Sequence, residues 1–252
     1  MRPNVPQRGE RRSQQLNLQT DLDMEQQLIQ HLKSEILKTS LNPNKVLKLP
    51  AKLEGIDTQD LEGLLTELYQ GVVEDRGNEF REINDTEMAN NIAAVAEWMT
   101  GSRLTTSLLL QGTPGSGKTS LMNALYSLYR YYYGSSTYRC TAKMINDNYQ
   151  SKLDKERSFY DEFKKADYLF IDDLGTEPDK FKDFGVDYTP IPELLYERYE
   201  KQRVTVISTN LPDGKLTARY GKRIMDRFEE MCQKILFLAP SYRELPVEDH
   251  KE

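Results

Sequence analysis

Apolar positions recur along this chain with two different periods. Met24, Leu28, Leu32 and Ile36 recur every fourth residue, which predicts one stripe of a helix over Met24 to Lys38. Asn42-Pro43 closes it. Lys45 to Lys52 alternates basic and apolar residues around Pro50 and reads as a linker. Leu61, Leu64, Leu65, Leu68 and Val72 predict a second helix from about Thr58 to Val73, capped by Asp57 or Thr58. Arg76-Gly77-Asn78 breaks that pattern. Met88, Ile92, Val95 and Met99 predict a third helix, capped by Asp85 and stopped by Gly101. Trp98 reads either as a core residue, the favoured reading, or as a ring near an adenine base.

From Leu104 onward the pattern changes. Short apolar runs at 105–110, Tyr138–Thr141, Asp167–Asp173, Val204–Ser208 and Ile235–Leu238 read as strands. Between them lie helical stretches at Ser120–Tyr132, 142–150, 156–166, Pro190–Gln202 and 216–231. Short apolar strands alternating with helices predict an α/β fold, a parallel sheet with helices on both faces. Tyr126, Tyr129, Tyr131, Tyr132 and Tyr133 crowd the end of the first of these helices. At helical spacing they cannot share one face, so they read as packing with a wet edge rather than a platform for stacked bases.

Composition divides the chain further. Of the 252 residues, 38% are hydrophobic and 29% charged, which suits one good domain with a polar extension. No apolar run approaches the length of a membrane span. Arg2, Arg8, Arg11 and Arg12 sit among Pro, Gln, Asn and Ser, with no hydrophobic signal region. That start reads as a disordered basic arm and argues against secretion. The expected division is an arm at 1–22, a helical N-terminal partner-binding region at 23–76, a main α/β domain at 80–240 and a tail at 241–252. The two helices of the N-terminal region either form a hairpin with a sticky face or pack on the main domain. The cysteines, Cys140 and Cys232, lack metal-type spacing, and a reducing cytoplasm fits them. A net charge of −6 disfavours strong non-specific nucleic-acid binding by the whole molecule but leaves room for a local basic surface.

The stretch Gly112-Thr113-Pro114-Gly115-Ser116-Gly117-Lys118-Thr119-Ser120 changes the picture most. Glycine, four residues, then glycine, lysine and threonine, between a strand and a helix, is a phosphate-binding loop. Its glycines let backbone N–H groups turn inward around a phosphate. Lys118 reaches the β and γ phosphates, the Thr119 hydroxyl ligates magnesium, and the helix N-terminus adds partial positive charge. Hydrolysis needs more: a held metal, an activated water and a cation for the γ-phosphate. Asp172 ends an apolar strand, where parallel sheets place their ligands, and can bind the metal. Asp173 beside it is the candidate for activating the water. Asn210, ending the next strand, can also hold that water. Arg223 and Arg227, four apart, share a helix face in a basic segment and supply cations, or else form an ordinary solvated face.

These residues occur in a recognisable set. Gly112–Ser120, Tyr168-Leu-Phe-Ile-Asp-Asp-Leu-Gly175, Pro192–Tyr199, Ile207–Leu211 and Arg219–Phe228 together resemble an AAA+ ATPase of the DnaC/IstB group. That group contains bacterial and phage replicative-helicase loaders and the ATPase subunits of some transposons. The resemblance covers roughly residues 80–240. It implies a P-loop NTPase fold of the ASCE type, its parallel sheet sandwiched by helices, with no C-terminal lid. Gly112 to Ser120 correspond to Walker A, and Asp172 to the Walker B metal acid. Asp173 takes the catalytic-acid position, Asn210 is sensor 1, Arg227 is the arginine finger, and Arg223 is an accessory cation. Asp173 stands where most AAA+ proteins carry glutamate, and its shorter side chain implies slow hydrolysis, stimulated by DNA or a partner.

The implied cofactors are ATP and Mg2+. The implied partners are single-stranded DNA, a replicative DNA helicase, and further copies of the chain in a ring, spiral or filament. A transposase replaces the helicase if the chain is instead the filament-forming transposition type on duplex DNA. Lys143, Lys152, Lys155 and Arg157 lie where the group faces DNA, but Asp154, Glu156 and Asp161 are interleaved with them, so a plain solvated face stands beside that reading.

Overall fold

The computed structural model describes residues 57–75, 86–100, 105–150, 154–178, 181–183, 186–188, 190–239 and 241, with backbone only at 154–158, 181–183 and 186–188. The predicted helix at Met24–Lys38, the basic arm, Lys152 and all of the tail but Ser241 lie outside the described residues. α1 (Thr58–Asp75) and α2 (Thr86–Thr100) come first. The carboxylate of Asp57 accepts from the Gln59 N–H at 3.0 Å, so Asp57 caps α1.

The alternating part follows the predicted order. β1 (Ser107–Gly112) leads through the glycine loop into α3 (Lys118–Tyr133), and a short 3-10 turn precedes β2 (Thr137–Thr141). α4 (Ala142–Gln150), α5 (Asp154–Lys165) and β3 (Tyr168–Leu174) follow. Then come a small antiparallel pair, β4 (Phe181–Asp183) and β5 (Val186–Tyr188), α6 (Pro190–Glu200) and β6 (Val204–Thr209). α7 (Asp213–Tyr220), α8 (Lys222–Met231) and β7 (Cys232–Phe237) close the series. The main sheet has five parallel strands in the order β2-β3-β6-β1-β7. This is a P-loop NTPase architecture, consistent with the expected AAA+ fold. The strand that carries the two aspartates is separated from the loop strand by β6.

Strand alternation sorts the core into two layers. On β1, Leu108 and Leu110 face α1, α2 and α3, while Leu109 faces the α4–α8 side. The apolar face of α1, with Leu61, Leu64, Leu65 and Leu68, packs into the first layer with α2 and α3. It is a core face. Trp98 is also in this layer, 3% exposed. Tyr129 and Tyr131 are buried there and the other three tyrosines of α3 are half-buried. Tyr129 and Tyr133 meet Tyr168 at ring distances of 5.0 and 4.3 Å, so these rings pack as the sequence suggests.

Two boundaries differ from the sequence reading. The helical stretch at 216–231 breaks at Gly221, whose φ of 80° closes α7 and starts α8. β7 begins at Cys232, immediately after α8, because Cys232 to Phe237 pair with Ser107 to Gly112. A buried arginine holds the second layer to the sheet. Arg198 on α6 is fully buried and has no carboxylate partner among the described residues. Its guanidinium donates to Phe163 O, Ala166 O and Val204 O at 2.7–2.8 Å and to Thr205 Oγ1 at 2.9 Å. It thereby satisfies carbonyls just at and beyond the end of α5. Burial lowers its pKa to about 9, so it remains charged at neutral pH.

Candidate nucleotide site

The glycine loop sits at the C-terminal edge of the sheet, where β1 ends. Gly112 lies so close to β7 that a Cβ there would come within 1.9 Å of Phe237 O, so no side chain fits. The next residue, Thr113, donates its N–H to the same Phe237 oxygen at 3.0 Å. Its hydroxyl donates to Ala239 O at 2.8 Å. Gly115 has a φ of 80°, and a Cβ there would meet the Ser241 hydroxyl at 2.2 Å. The loop is thus framed by the chain leaving β7, which crowds Gly112 and Gly115, while Gly117 takes a φ of 94° that favours glycine.

Lys118 opens α3 and is buried. Its ammonium folds back on the loop, donating to Thr113 O at 2.6 Å, Gly112 O at 3.0 Å and Ser116 Oγ at 3.3 Å. Burial lowers its pKa to about 8, and the nearby Asp173 and Asp172 carboxylates pull it back upward. A cation held by carbonyl dipoles at the N-terminus of a helix is a ready partner for a phosphate anion.

Asp172 is buried on β3. Its Oδ1 accepts from the Thr119 hydroxyl at 3.0 Å and from the Ser208 hydroxyl at 2.5 Å. Its Oδ2 pairs with Arg139 Nη2 at 3.4 Å. In a regular strand Asp173 would point to the opposite face of the sheet. Here the register with β6 slips between Ile171 and Leu174, and Asp173 takes a φ of 56°. The extra residue is a β-bulge, and a left-handed Asp173 beside it breaks the alternation. Ser208 pins the bulge: its Oγ accepts from the Asp173 N–H at 2.9 Å while donating to Asp172.

The remaining expected residues are spread more widely. Asn210 directly follows β6 and is exposed. Arg223 and Arg227 lie on α8, packed on the rings of Tyr196 and Tyr199, outside the hydrogen-bonded group around Lys118. Lys143 is exposed on α4. Lys155 and Arg157 fall within α5, where only the backbone is described.

Three residues that sequence reasoning passed over join the site or its frame. Ser208 looked like an ordinary strand residue, and Arg139 like an edge-strand cation. Glu177, buried after β3, accepts from the Gly175 N–H at 2.9 Å and from Arg219 Nε at 3.2 Å, and the Tyr220 hydroxyl also donates to it. It ties the turn beyond the bulge to α7. A Glu four residues beyond the paired aspartates was a visible signal, but nothing in the sequence paired it with Arg219.

The donor set fits magnesium and a nucleoside triphosphate. Thr119 and Asp172 offer a hydroxyl and a carboxylate, hard oxygen ligands already in contact. Among the described residues no group of three or more His, Cys, Asp or Glu could hold a metal alone. A P-loop magnesium needs no such group, since one or two protein oxygens and the phosphates complete it. Lys118 and the inward loop N–H groups would hold the phosphates, and Thr119 and Asp172 the metal. Such a cation supplies charge neutralisation across the phosphates.

No protein-family model matches the chain, and no curated protein matches it. It is similar to a solved DnaC helicase loader, with 17% identity over 62% of this chain and 93% of that one, at a TM-score of 0.46. A DnaI structure shares 19% identity over 62% of this chain and 87% of its own, at a TM-score of 0.48. AMPPCP-bound DnaA from Aquifex aeolicus shares 18% over 63% of this chain and 48% of its own, at 0.43. Likenesses at this level assign neither partner nor substrate.

Proposed function

We propose that this chain is an ATP-dependent DNA replication factor that loads or remodels a replicative helicase on single-stranded DNA. One observation supports the ATPase part: Asp172, beside the bulge at Asp173, accepts from Thr119 of the loop, and the glycine loop with Lys118 lies at the same edge of the sheet. Asp172 with Thr119 would hold magnesium, Lys118 and the loop would hold the phosphates of ATP, and Asp173 would take the proton of the attacking water or orient it. Asn210, at the end of β6, orients the same water. Arg227, with Arg223 beside it, reaches the γ-phosphate of a neighbouring copy, so that hydrolysis occurs at subunit interfaces in a ring or spiral.

The motif set, from Gly112–Ser120 to Arg219–Phe228, resembles the DnaC/IstB group and is common to its helicase-loading and transposition branches; the loader is the leading reading and the transposition ATPase the alternative. With the apolar face of α1 in the core, the stripe Met24, Leu28, Leu32 and Ile36 is the part of the N-terminal region left to grip it. Among the described residues no helix is long and apolar enough to cross a membrane, and we place the protein in the cytoplasm. ATP hydrolysis by the full chain, measured with single-stranded DNA and with a replicative helicase, tests this reading. Stimulation by either is the expected result. Stimulation by neither contradicts it, and stimulation only by duplex DNA with a transposase moves the chain to the transposition branch.

A further inference from the structure

The two arginines on α8 are held by aromatic rings. The Arg227 guanidinium lies 4.4 Å from the centre of the Tyr199 ring and 5.9 Å from that of Tyr196. Arg223 lies 4.7 Å over Tyr196 and donates to its hydroxyl at 3.0 Å. The Tyr199 hydroxyl donates to Glu230 Oε2 at 2.7 Å, which steadies the ring beneath Arg227. Tyr196 and Tyr199 are one helical turn apart on α6, so their rings line one face toward α8.

Several cations elsewhere are paired with carboxylates, while Arg198 and Lys118 are instead met by carbonyl and hydroxyl oxygens. Arg139, Lys164, Arg219 and Lys234 each lie within salt-bridge distance of a carboxylate. Among the described residues, no carboxylate comes that close to Arg223 or Arg227. Arg227 Nε is shut off from solvent and has no hydrogen-bond partner among the described residues. A ring face attracts a guanidinium through its quadrupole without supplying a negative charge. A carboxylate would engage the fork bidentately and would have to be displaced before a phosphate could bind. Ring-face packing fixes the direction of the side chain while leaving its charge available.

We propose that Tyr199, with Tyr196 beside it, is a positioning residue that presents Arg227 and Arg223 to the polyphosphate bound by a second copy of this chain. The inference rests on the trans-acting role proposed above for the arginines. It gives Tyr199 a function that is felt in the neighbour's site and not in its own. The ring face does the work, so phenylalanine serves at position 199 and leucine does not.

Complementation between full-length variants, with single-stranded DNA and magnesium-ATP, tests this. Y199L is expected to hydrolyse ATP about ten- to a hundredfold more slowly than wild type. Its own affinity for a fluorescent ATP analogue stays unchanged, a readout that general misfolding would move. Y199F recovers most of the rate. Mixing Y199L with K118A restores hydrolysis, because the K118A copy supplies ring-held arginines to the intact loop of Y199L. R227A mixed with K118A is run in parallel. Recovery with R227A but not with Y199L overturns the inference and leaves the trans-acting arginine standing. Recovery with neither removes both. A Y199L rate equal to wild type also overturns the inference.

Discussion

The hydroxyl of Thr119 donates to Asp172 Oδ1 at 3.0 Å, joining residues 53 positions apart in the chain. This bond ties the first turn of α3 to the bulge of β3. It places a hydroxyl and a carboxylate oxygen together at the C-terminal edge of the sheet, next to the glycine loop. Ser208 and Arg139 hold the same carboxylate from β6 and β2. The Asp172 side chain is therefore oriented before any ligand arrives, which is the condition for electrostatic catalysis without reorganisation.

Ser208 is the first point to perturb. Ser208→Ala removes one bond to Asp172 and leaves the Asp173 N–H without its acceptor. We expect a loss of about 1–3 kcal/mol in urea unfolding. Hydrolysis is expected to fall more than ATP affinity, since the bulge that aims Asp173 loosens while Lys118 keeps its place. Equal loss in both would show that Ser208 supports the whole site rather than the aim of Asp173.

Arg139 competes for the Asp172 carboxylate, which we propose binds the metal. Its partly exposed side chain pairs with Asp172 at 3.4 Å. Arg139→Gln is expected to lower the magnesium concentration at half-saturation by about two- to fivefold, the worth of an exposed ion pair. A magnesium titration of ATP binding reads this directly. A weaker magnesium response in the variant would mean that Arg139 helps rather than competes.

Arg198 holds the second layer of helices to the sheet. Arg198→Met keeps the volume but strands the carbonyls of Phe163, Ala166 and Val204. The expected cost is about 1–3 kcal/mol in equilibrium unfolding, the range for leaving a buried acceptor unsatisfied. An unchanged urea midpoint would show that water replaces the guanidinium.

The cysteines give a test of burial by pH. Burial pushes the thiols of Cys140 and Cys232 up to about 12 from 9. A raised folded pKa means that the neutral thiol stabilises the native state below pH 9, and that this contribution is lost as pH rises toward 12. At pH 8 the folded thiolate fraction is on the order of one in ten thousand. Iodoacetamide at pH 8 is therefore expected to label neither cysteine in the native protein and both in urea. Native labelling at Cys140 would contradict the packing of β2 against β3.

The chemistry that follows chain order was legible without the structure. The glycine spacing marked the loop, and an apolar run ending in Asp172-Asp173 marked the facing strand. Strand–helix alternation gave the parallel sheet. What escaped was geometry that no residue type announces. The bulge at Asp173 depends on pairing with β6, and the strand pattern through 167–173 shows no break there. Ser208 lies inside a run of apolar and β-branched residues, so its hydroxyl looked incidental. Arg198 sat one turn from charged neighbours on α6 and resembled a solvated residue, yet it is fully buried. Gly221 was a readable stop between α7 and α8, overlooked because apolar spacing continues on both sides of it. Arg223 and Arg227 could be placed on one helix face, but the rings beneath them come from a different helix, and only tertiary structure pairs those.

The most direct measurement is calorimetric titration of the full chain with ATP and magnesium, wild type against Lys118→Ala. One site per chain is expected for the wild type, with affinity falling when magnesium is removed. Lys118→Ala, still folded by thermal melt, is expected to bind at least about tenfold more weakly, the loss of one charge-assisted contact to phosphate. Equal affinity in the two proteins would contradict the assignment of Gly112–Ser120 and Asp172 as the nucleotide site.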